Sequence, residues 1–415
     1  MNAIVIGAGV AGLAAAYRLA RAGEQVTVVE ASDRLGGMVR SVRLAGEWID
    51  AGAEAFAQHH QVLNLCSQLQ LTIHEPLQRP RIRWSVDRSW VAADGMLGIP
   101  ASPHDPALRQ ALEDQDLAVA RAEPYLPAGL GADAASLGEL VTTRLGSAVT
   151  ERLVAPLTRG IFNREPDQVP LAQMAPALMG PGSLYDKVTA ARSQRSRIAQ
   201  PAGGLYRLVE ALAFDIISHG GEIRLNQPVT GLRPGWQVQA EELLHADRVV
   251  IACPGEPATE LLHQIGVPVA APATSASTIV LLAVPVEALA VVPPCSGILL
   301  GRPIPGLTAR ALTVWSAKWP GDHNPSYAIL RVSYPAVVTP TPRTVLTDAA
   351  LLLGCRLPRV ADSAVIAWPA VPRSLSPADR AELVERLPDG IRLAGAWVFG
   401  NGIEAALTSG LGAAS

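Results

Sequence analysis

Three glycines near the start of the chain, Gly7, Gly9 and Gly12, have the spacing of a dinucleotide-binding turn. The first glycine allows a tight turn, the second lets a pyrophosphate approach the backbone, and the third lets the next helix pack closely. Glu30 follows Gly12 by 18 residues, where a carboxylate can accept hydrogen bonds from a ribose. The alternative is an ordinary turn between a strand and a helix that binds no ligand.

The segments around these glycines must form a strand, a helix and a second strand if they are to bind a nucleotide. Residues 3–6 form a short apolar run, which is typical of a buried parallel strand. A helix rich in alanine and leucine is predicted over residues 10–22, and a second strand over residues 25–29. The amides and the dipole of the helix N-terminus favour a phosphate. The contacts predicted in this stretch are Gly7, Gly9, Val10, Ala11, Gly12, Glu30 and Ala31.

A second glycine pair follows the predicted ribose acid, and two arginines flank it. This segment resembles a stretch of the FAD-containing amine oxidase superfamily that crosses the pyrophosphate and the ribityl chain. NAD-dependent dehydrogenases lack that stretch, so the resemblance implies FAD as the cofactor. The alternative is that both arginines are solvated surface charges. The contacts predicted in this segment are Arg34, Gly36, Gly37, Met38 and Arg40.

The same resemblance implies that later segments complete the FAD site. A loop at Gly52, Ala53 and Glu54 is expected to lie against the flavin ring, where a side chain at Gly52 would meet the isoalloxazine. An ordinary turn is the alternative for this loop. The histidine pair His59-His60 that follows is predicted to be solvated. The backbone of Val229 is expected to hold the adenine.

Two further strand ends are expected to reach the cofactor. The strand that ends at Ala252 and Pro254 is expected to return beneath it. Near the C-terminus, the N-terminus of the last helix is expected to point at the flavin pyrophosphate or pyrimidine. The contacts predicted in this region are Gly395, Trp397, Gly402 and Ile403.

Length and composition restrict the class of protein. A chain of 415 residues is too long for one hydrophobic core and predicts two or three domains. Its net charge of −3 gives no indication of a nucleic-acid partner. The four cysteines lack metal-ligand and disulfide spacing, which predicts buried thiols in a reducing cytoplasm and no bound metal. We predict no signal peptide and no transmembrane span, so the expected location is the cytoplasm, with a peripheral membrane contact as the alternative.

The order of the predicted elements indicates an α/β protein with a discontinuous, Rossmann-like FAD-binding domain. Its parallel sheet and a small antiparallel sheet are predicted to come from residues 1–76, 198–262 and 370–415. A mixed substrate-binding sheet is predicted from residues 77–106 and 263–369. Residues 107–197 are predicted to form a helical insertion that faces a membrane or forms the substrate entry, and its first predicted helix covers residues 107–122.

The predicted substrate sheet begins with basic and aromatic side chains. Arg83 and Arg88 lie near Trp84 in the sequence, and guanidinium groups beside an aromatic face suit a flat ligand that carries carboxylates. The alternative is a solvent-facing edge strand that is protected by its charge. Lys318 is a candidate for the flavin or substrate face, with a structural role at a strand end as the alternative.

Motifs spread over nearly the whole chain resemble the oxygen-dependent protoporphyrinogen and coproporphyrinogen oxidases, a family within the same superfamily. They occupy residues 152–162, 166–171, 183–184, 316–320 and 328–331. Two features depart from that family. The chain is shorter than usual between residues 95 and 137, and residues 400–406 read Gly-Asn-Gly-Ile-Glu-Ala-Ala where the family has Gly-Val-Gly-Ile-Pro-Asp-Cys.

The resemblance implies an activity in haem biosynthesis. The protein would convert coproporphyrinogen III to coproporphyrin III, or protoporphyrinogen IX to protoporphyrin IX. In each of three rounds, a hydride would pass from a meso carbon of the macrocycle to flavin N5 and a pyrrole N–H proton would be lost, and O2 would then take the two electrons and leave as peroxide. No catalytic side chain is predicted, because the flavin itself supplies the chemistry.

Two alternatives stay open. The Glu-Ala-Ala segment favours a flavin amine or amino-acid oxidase on the same scaffold. A non-catalytic FAD-binding partner protein is the other. In each oxidase interpretation the partners are a small-molecule substrate and O2, and the sequence does not specify an oligomeric state.

Overall fold

The computed structural model describes residues 1–162, 164–194, 198–321, 323–335, 339–400 and 402–414. The chain divides into two compact units. The first unit contains Met1–Glu75, Arg197–Ser277 and Ile366–Ser415, and the second contains Pro76–Ser196 and Thr278–Val365. The first unit is therefore discontinuous, as predicted. The predicted helical insertion and most of the predicted substrate sheet belong to the second unit, and the exact domain boundaries stay a prediction.

The strands of both units are numbered here in chain order. They are β1 (Asn2–Ile6), β2 (Gln25–Val29), β3 (Ser41–Leu44), β4 (Glu47–Asp50), β5 (Phe56–Ala57), β6 (Ile73–His74), β7 (Arg81–Arg83), β8 (Ser89–Val91), β9 (Gly95–Met96), β10 (Ile99–Pro100), β11 (Ile198–Pro201), β12 (Glu222–Arg224), β13 (Gly231–Arg233), β14 (Gln237–Gln239), β15 (Leu243–His245), β16 (Arg248–Ile251), β17 (Thr274–Pro285), β18 (Gly297–Leu300), β19 (Ala311–Val314), β20 (Tyr327–Pro335), β21 (Asp362–Pro372) and β22 (Ile391–Leu393).

The helices are numbered in the same way. They are α1 (Val10–Arg21), α2 (His60–Gln68), α3 (Pro106–Ala111), α4 (Asp114–Ala122), α5 (Leu137–Leu145), α6 (Ser147–Val149), α7 (Ala155–Phe162), α8 (Leu171–Met174), α9 (Leu184–Gln194), α10 (Tyr206–Ser218), α11 (Gly255–Gln264), α12 (Trp315–Lys318), α13 (Pro342–Leu353), α14 (Pro377–Glu385), α15 (Ala396–Phe399) and α16 (Ile403–Ala413). Within the described part of the chain, no helix has both the length and the apolar character needed to cross a membrane.

A five-stranded sheet with the order β12-β2-β1-β16-β22 forms the centre of the first unit, and its pairs are parallel. Alternate residues of β1 face opposite sides of this sheet. Ala3 and Val5 pack in a cluster with α1, α10 and α16, whereas Ile4 and Ile6 pack with α11 and the β13–β15 meander. Both faces are therefore covered, which explains why β1 is apolar throughout.

Smaller antiparallel elements complete the first unit. They are the β13-β14-β15 meander, the sheet β5-β11-β6 and the β3-β4 hairpin. The hairpin turns at Ala45 and Gly46, whose φ angles of +48° and +90° are those of a turn that matches the twist of the strands. This confirms the parallel sheet with an accompanying antiparallel sheet that the sequence predicts.

A mixed sheet runs in the order β21-β17-β20-β19-β18-β7-β8. Strand β18 pairs in parallel with β7 and antiparallel with β19, and β17 and β21 carry the chain between the two units. Helices of the insertion bury a separate apolar cluster. The continuous helix predicted over residues 107–122 is interrupted, because buried Leu112 has an extended backbone with φ −104° and ψ 152°.

A fully buried ion pair lies within this helical part of the second unit. Glu123 and Arg144 have side-chain exposures of 0% and 1%, and the Arg144 guanidinium donates to the Glu123 carboxylate. Arg144 also donates to the Pro127 carbonyl at 3.3 Å. The Glu123 carboxylate accepts from the Ser183 hydroxyl at 2.7 Å and from the Leu184 amide. The pair thus fastens the turn after α4 to α5 and to the start of α9.

Candidate functional site

The first glycine turn joins β1 to α1 at the carboxyl edge of the parallel sheet, where nucleotides bind in such sheets. Gly7 has a φ of +104°, and its amide donates to the Val29 carbonyl at 2.8 Å. A Cβ at Gly12 would overlap the Gly7 carbonyl oxygen and would lie 3.3 Å from the Cβ of Ala252. The structure therefore agrees with the predicted tight turn at Gly7 and close packing at Gly12.

The second glycine pair packs directly on the first turn. Gly36 forms a parallel bridge with Gly9, and its amide donates to the Ala8 carbonyl at 2.8 Å. A Cβ at Gly37 would lie 3.2 Å from the Cα of Gly9. We call the five glycines of these two turns the glycine cradle: they are Gly7, Gly9, Gly12, Gly36 and Gly37.

The glycine cradle has the properties that a pyrophosphate needs. A Cβ built on Gly9 would have the Cα of Gly37 as its nearest described neighbour, at 4.0 Å, so the outer side of this turn is open. The turn leads directly into α1, whose N-terminal amides and dipole favour an anion. The residues present therefore fit the diphosphate of FAD.

Glu30 is held in place by two backbone amides and one hydroxyl. Its Oε2 accepts from the Ala8 amide at 2.7 Å, and its Oε1 accepts from the Ser32 amide at 2.9 Å and the Ser32 hydroxyl at 2.7 Å. A carboxylate offers about four acceptor positions, so capacity is left for a ribose hydroxyl. Ser32 was not predicted as a site residue, although a serine two residues after an acid is a local signal for such a bond.

The two predicted arginines differ in their surroundings. Arg34 is half-buried and donates to the Gly37 carbonyl at 3.0 Å and to the Leu35 carbonyl at 3.3 Å. Burial, and then the neighbouring charge of Arg40, lower the pKa of Arg34. The side chain of Arg40 is exposed, as are Ala31, Gly37 and Met38. Arg34 therefore fastens the second glycine pair, and its contact with FAD stays a prediction.

Gly52 is required by the protein itself. A Cβ there would overlap the Met38 carbonyl oxygen and would lie 2.9 Å from Cζ2 of Trp368. The Ala53 amide donates to the same Met38 carbonyl at 3.0 Å, so the loop lies against the segment that follows the glycine pair. Packing within the first unit is therefore enough to require a glycine at this position, and the contact of the loop with the flavin stays a prediction.

Asp50 and Trp368 hold this loop from two sides, and neither was predicted as a site residue. The buried Asp50 carboxylate accepts from the Leu205 amide at 2.7 Å, next to the start of α10. The Trp368 indole N–H donates to the Ala51 carbonyl at 3.0 Å. Asp50 is the last residue of β4 and lies 155 residues from Leu205, and Trp368 lies 317 residues from Ala51, so neither gives a local sequence signal.

The C-terminal segment packs against the same turn. A Cβ at Gly410 in α16 would overlap the Ala11 carbonyl oxygen, so the two helices touch through their backbones. Gly395 has a φ of +110°, and a Cβ there would lie 3.9 Å from the Ala252 oxygen and 4.0 Å from the Ala11 Cβ. Ile403 is buried in one cluster with Val10, the first residue of α1. The structure thus brings the start, middle and end of the chain together here.

The remaining predicted contacts lie elsewhere in the first unit or outside the described residues. Trp397 and Val229 pack in the cluster on the face of the sheet opposite α1. Pro254 caps the start of α11, and Glu54 is half-buried. Gly402 precedes α16 with a φ of +108°, and its neighbour Asn401 lies outside the described residues. Their contacts with FAD stay predictions.

Arg83 in the second unit does not have the surroundings that were predicted. It is buried, and it donates to the Leu352 carbonyl at 2.9 Å and to the Val86 carbonyl at 3.0 Å. Burial lowers its pKa, with a further contribution from the charge of Arg81. The Arg83 guanidinium therefore has a structural role within the second unit, because it binds the backbone carbonyl of Leu352.

Other arginines surround Trp84 instead. The guanidinium carbons of Arg302 and Arg152 lie 5.0 and 5.7 Å from the Trp84 ring centre, and Arg88 lies 5.6 Å from that of Trp90. We call these five residues the arginine–tryptophan cluster. An open cleft of about 320 Å³ beside it is lined by Trp84, Ser85, Val86, Arg302, Pro303, Ile304 and Pro305. Sequence reasoning missed Arg152 and Arg302 because they are distant in the chain.

Arg88 and Lys318 both have partners within the second unit. Arg88 lies 3.2 Å from the Glu113 carboxylate. The Lys318 ammonium lies 4.9 Å from the Trp319 ring centre, and the Lys318 carbonyl accepts from the Leu77 amide at 2.8 Å. These contacts favour the structural alternative for Lys318.

Comparison with known proteins places this geometry in context. Residues 10–285 match the family model described as flavin containing amine oxidoreductase. Coproporphyrinogen III oxidase of Mycobacterium bovis is 29% identical over 436 residues, which cover 97% of this chain and 94% of that protein. Protoporphyrinogen oxidase of Bos taurus is 29% identical over 308 residues, which cover 64% of this chain and 62% of that protein.

A solved structure from an Exiguobacterium species, assigned as a protoporphyrinogen oxidase, has the same fold. Its TM-score is 0.81 at 22% identity, and the match covers 100% of this chain and 97% of that one. The family match and the glycine cradle together identify FAD as the cofactor and the protein as an FAD-dependent oxidoreductase. The chain therefore belongs to the family of flavin-containing amine oxidoreductases.

Proposed function

We propose that this protein oxidises a porphyrinogen to a porphyrin, with FAD as the bound electron acceptor and O2 as the final acceptor. The observation that carries the proposal is the similarity to a coproporphyrinogen III oxidase over 97% of the chain. The porphyrinogen-oxidase motifs at residues 152–162 and 316–320 support it independently of the glycine cradle, which many flavoenzymes share.

The first unit supplies binding and orientation for this chemistry. FAD, when bound, supplies an acceptor for two electrons. The glycine cradle and the N-terminus of α1 bind the diphosphate, and Glu30 accepts from a ribose hydroxyl. The loop at residues 50–54 presents a rigid surface to the flavin, because Asp50, Ala51 and Ala53 already form hydrogen bonds within the unit.

We propose coproporphyrinogen III as the preferred substrate. It carries four propionates, whereas protoporphyrinogen IX carries two. The arginine–tryptophan cluster offers guanidinium groups on two aromatic faces, which suits a flat ligand with carboxylates at its edge. Arg302 is the most suitable donor, because its side chain is exposed and borders the cleft, whereas Arg88 and Arg152 share the Glu113 carboxylate.

Anaerobic mixing of the FAD-loaded protein with coproporphyrinogen III, and separately with protoporphyrinogen IX, tests the function. We expect the visible flavin absorbance to bleach without O2, because bound FAD accepts two electrons from the substrate. When O2 is admitted, the flavin should recover, peroxide should be released, and porphyrin fluorescence should appear, because formation of the porphyrin needs three two-electron oxidations. Coproporphyrin III is the matched control, since it is already oxidised and leaves the flavin unchanged. Failure of both porphyrinogens to bleach the flavin would contradict the proposal, and bleaching by an amine instead would favour an amine oxidase.

Replacement of Arg302 by alanine tests the choice of substrate. We expect the KM for coproporphyrinogen III to rise about tenfold with little change in kcat, because a charge-assisted hydrogen bond contributes about 1.5 kcal/mol or more. The KM for protoporphyrinogen IX should rise less. Steady-state kinetics with both substrates measure this difference.

Arg386→Ala is the control for the loss of one exposed guanidinium. Arg386 pairs with Glu382 at the end of α14 in the first unit. If the Arg302→Ala and Arg386→Ala proteins have the same KM for coproporphyrinogen III, Arg302 does not belong to the proposed substrate site.

A further inference from the structure

An ion pair joins the start of α2 to the first turn of α16. The Nε2 atom of His59 lies 3.0 Å from Oε2 of Glu404, and the two side chains are 49% and 39% exposed. A second bond, from the Thr408 hydroxyl to the Gln61 side-chain oxygen at 2.9 Å, joins the same two helices further along. His59 is therefore exposed, as predicted, and it also forms a specific contact with Glu404.

Both members of the pair lie within five residues of segments that are predicted to contact the flavin. Glu404 follows Ile403, and His59 comes five residues after the end of the loop at residues 52–54. Ile403 is buried in one cluster with Val39, which follows the second glycine pair, and with Phe56, which lies between the loop and His59. Residues close in sequence to the His59–Glu404 pair and a residue that follows the glycine cradle therefore pack in the same hydrophobic cluster.

The charge of Glu404 opposes the expected role of this helix end. Glu404 is an acid in the first turn of α16, and a carboxylate there offsets the positive end of the helix dipole. The isoalloxazine gains negative charge on reduction, so an uncompensated carboxylate nearby would disfavour the reduced form. Residue 404 is also where the chain departs from the porphyrinogen-oxidase pattern, which has proline at this place.

We infer that His59 is a positioning residue that neutralises Glu404 and thereby maintains the reduction potential of the flavin. The imidazole, whose Nε2 lies 3.0 Å from the carboxylate, offsets the charge of Glu404 and holds its side chain towards α2. The dipole of α16 then acts on the flavin without an opposing charge. This role rests on the proposed FAD site but does not depend on the identity of the substrate.

A charge cycle in the FAD-loaded full chain tests this role. The variants are His59→Gln, Glu404→Gln and the double variant, and the readout is the flavin midpoint potential against a reference dye. We expect the His59→Gln variant to shift the equilibrium about tenfold towards oxidised flavin, about 30 mV for a two-electron couple. The Glu404→Gln variant should shift it in the opposite direction, and the double variant should lie near the parent protein.

His60→Gln is the matched control. His60 adjoins His59 in the sequence, but its Nδ1 lies 3.3 Å from the Asn64 side-chain amide. It should leave the potential unchanged. Thr408→Val removes the other bond between the two helices without changing a charge, and it should also leave the potential unchanged.

Two results would overturn the inference. The first is that both single variants have the midpoint potential of the parent protein. The second is that the midpoint potential shifts in the same direction in both single variants. If a variant loses FAD, the FAD dissociation constant replaces the potential as the readout. If the His59→Gln variant binds FAD more weakly and the double variant regains the parental affinity, the result supports charge compensation. Weaker FAD binding in all three variants contradicts it. The charge cycle uses no porphyrinogen, so a negative result does not contradict the proposed oxidase activity. In the same way, a porphyrinogen that fails to bleach the flavin does not affect the interpretation of the charge cycle.

Discussion

A Gly12→Ala protein should purify without bound FAD and should unfold at a lower urea concentration than the parent protein. The added Cβ would overlap the Gly7 carbonyl oxygen and crowd Ala252, so α1 must move away from the glycine turn. Forced overpacking of this kind costs about 3 kcal/mol of unfolding free energy. We expect FAD affinity to fall about 100-fold or more, since each 1.4 kcal/mol lost at the site is about tenfold in binding. Flavin absorbance per protein and urea titration measure the two effects.

Gly412→Ala is the matched control for this substitution. Gly412 also lies within a helix, α16, but a Cβ there would have no described atom within 4 Å. The substitution should retain FAD and raise the unfolding free energy by up to about 1 kcal/mol, because alanine is a better helix former than glycine. Equal FAD content in the Gly12→Ala and parent proteins would contradict the close packing between the turn and α1.

The second large effect is expected at the buried ion pair of the second unit. Glu123→Gln removes the negative charge but keeps the shape of the side chain, and it leaves the Arg144 guanidinium buried without a counter-charge from residue 123. Breaking a buried pair in this way costs about 3–5 kcal/mol. Residues 123–131 and 180–187 should then exchange their amide hydrogens faster, because the pair fastens these two segments together. Hydrogen exchange measured by mass spectrometry resolves the two segments.

Two comparisons make this prediction specific. Glu210→Gln breaks the exposed pair between Arg207 and Glu210, where the unfolding free energy should change by no more than about 0.5 kcal/mol. A Glu123→Leu/Arg144→Met double variant should recover much of the stability, because an apolar pair needs no desolvation. Unchanged hydrogen exchange in the Glu123→Gln protein would show that the turn after α4 is held by other contacts.

The nucleotide-binding half of the fold could be predicted because its signals are local. A run of apolar residues, three glycines and an alanine-rich segment lie within the first 22 residues, and the structure has β1, the turn and α1 there. The tight turn at Gly7 needs a positive φ, which only glycine adopts readily, so the residue type itself predicts the geometry. The tight turn at Gly7 and the close packing at Gly12 were therefore predicted correctly, because they depend on residues that are close in the sequence.

Predictions that depended on distant residues were less successful. Arg83 was predicted to meet substrate, but its partner Leu352 is 269 residues away and only folding brings the two together. The helix predicted over residues 107–122 is broken at Leu112, which the surrounding cluster holds buried. Gly52 was predicted to make room for the flavin, which stays a prediction, and its packing against Met38 and Trp368 was not predicted because Trp368 is distant in the chain.

The sequence by itself determined the cofactor. The glycine cradle, Glu30 and the arginine beside the second glycine pair lie within residues 7–40, where their spacing predicts a dinucleotide site and their resemblance to the amine oxidase superfamily implies FAD. Only the tertiary structure decided how the rest of the site is held. The partners of Ala51, Trp84 and Glu404 are Trp368, Arg302 and His59, which are hundreds of residues away along the chain. Contacts at that separation follow from the packing of whole elements, and no local pattern in a sequence carries them.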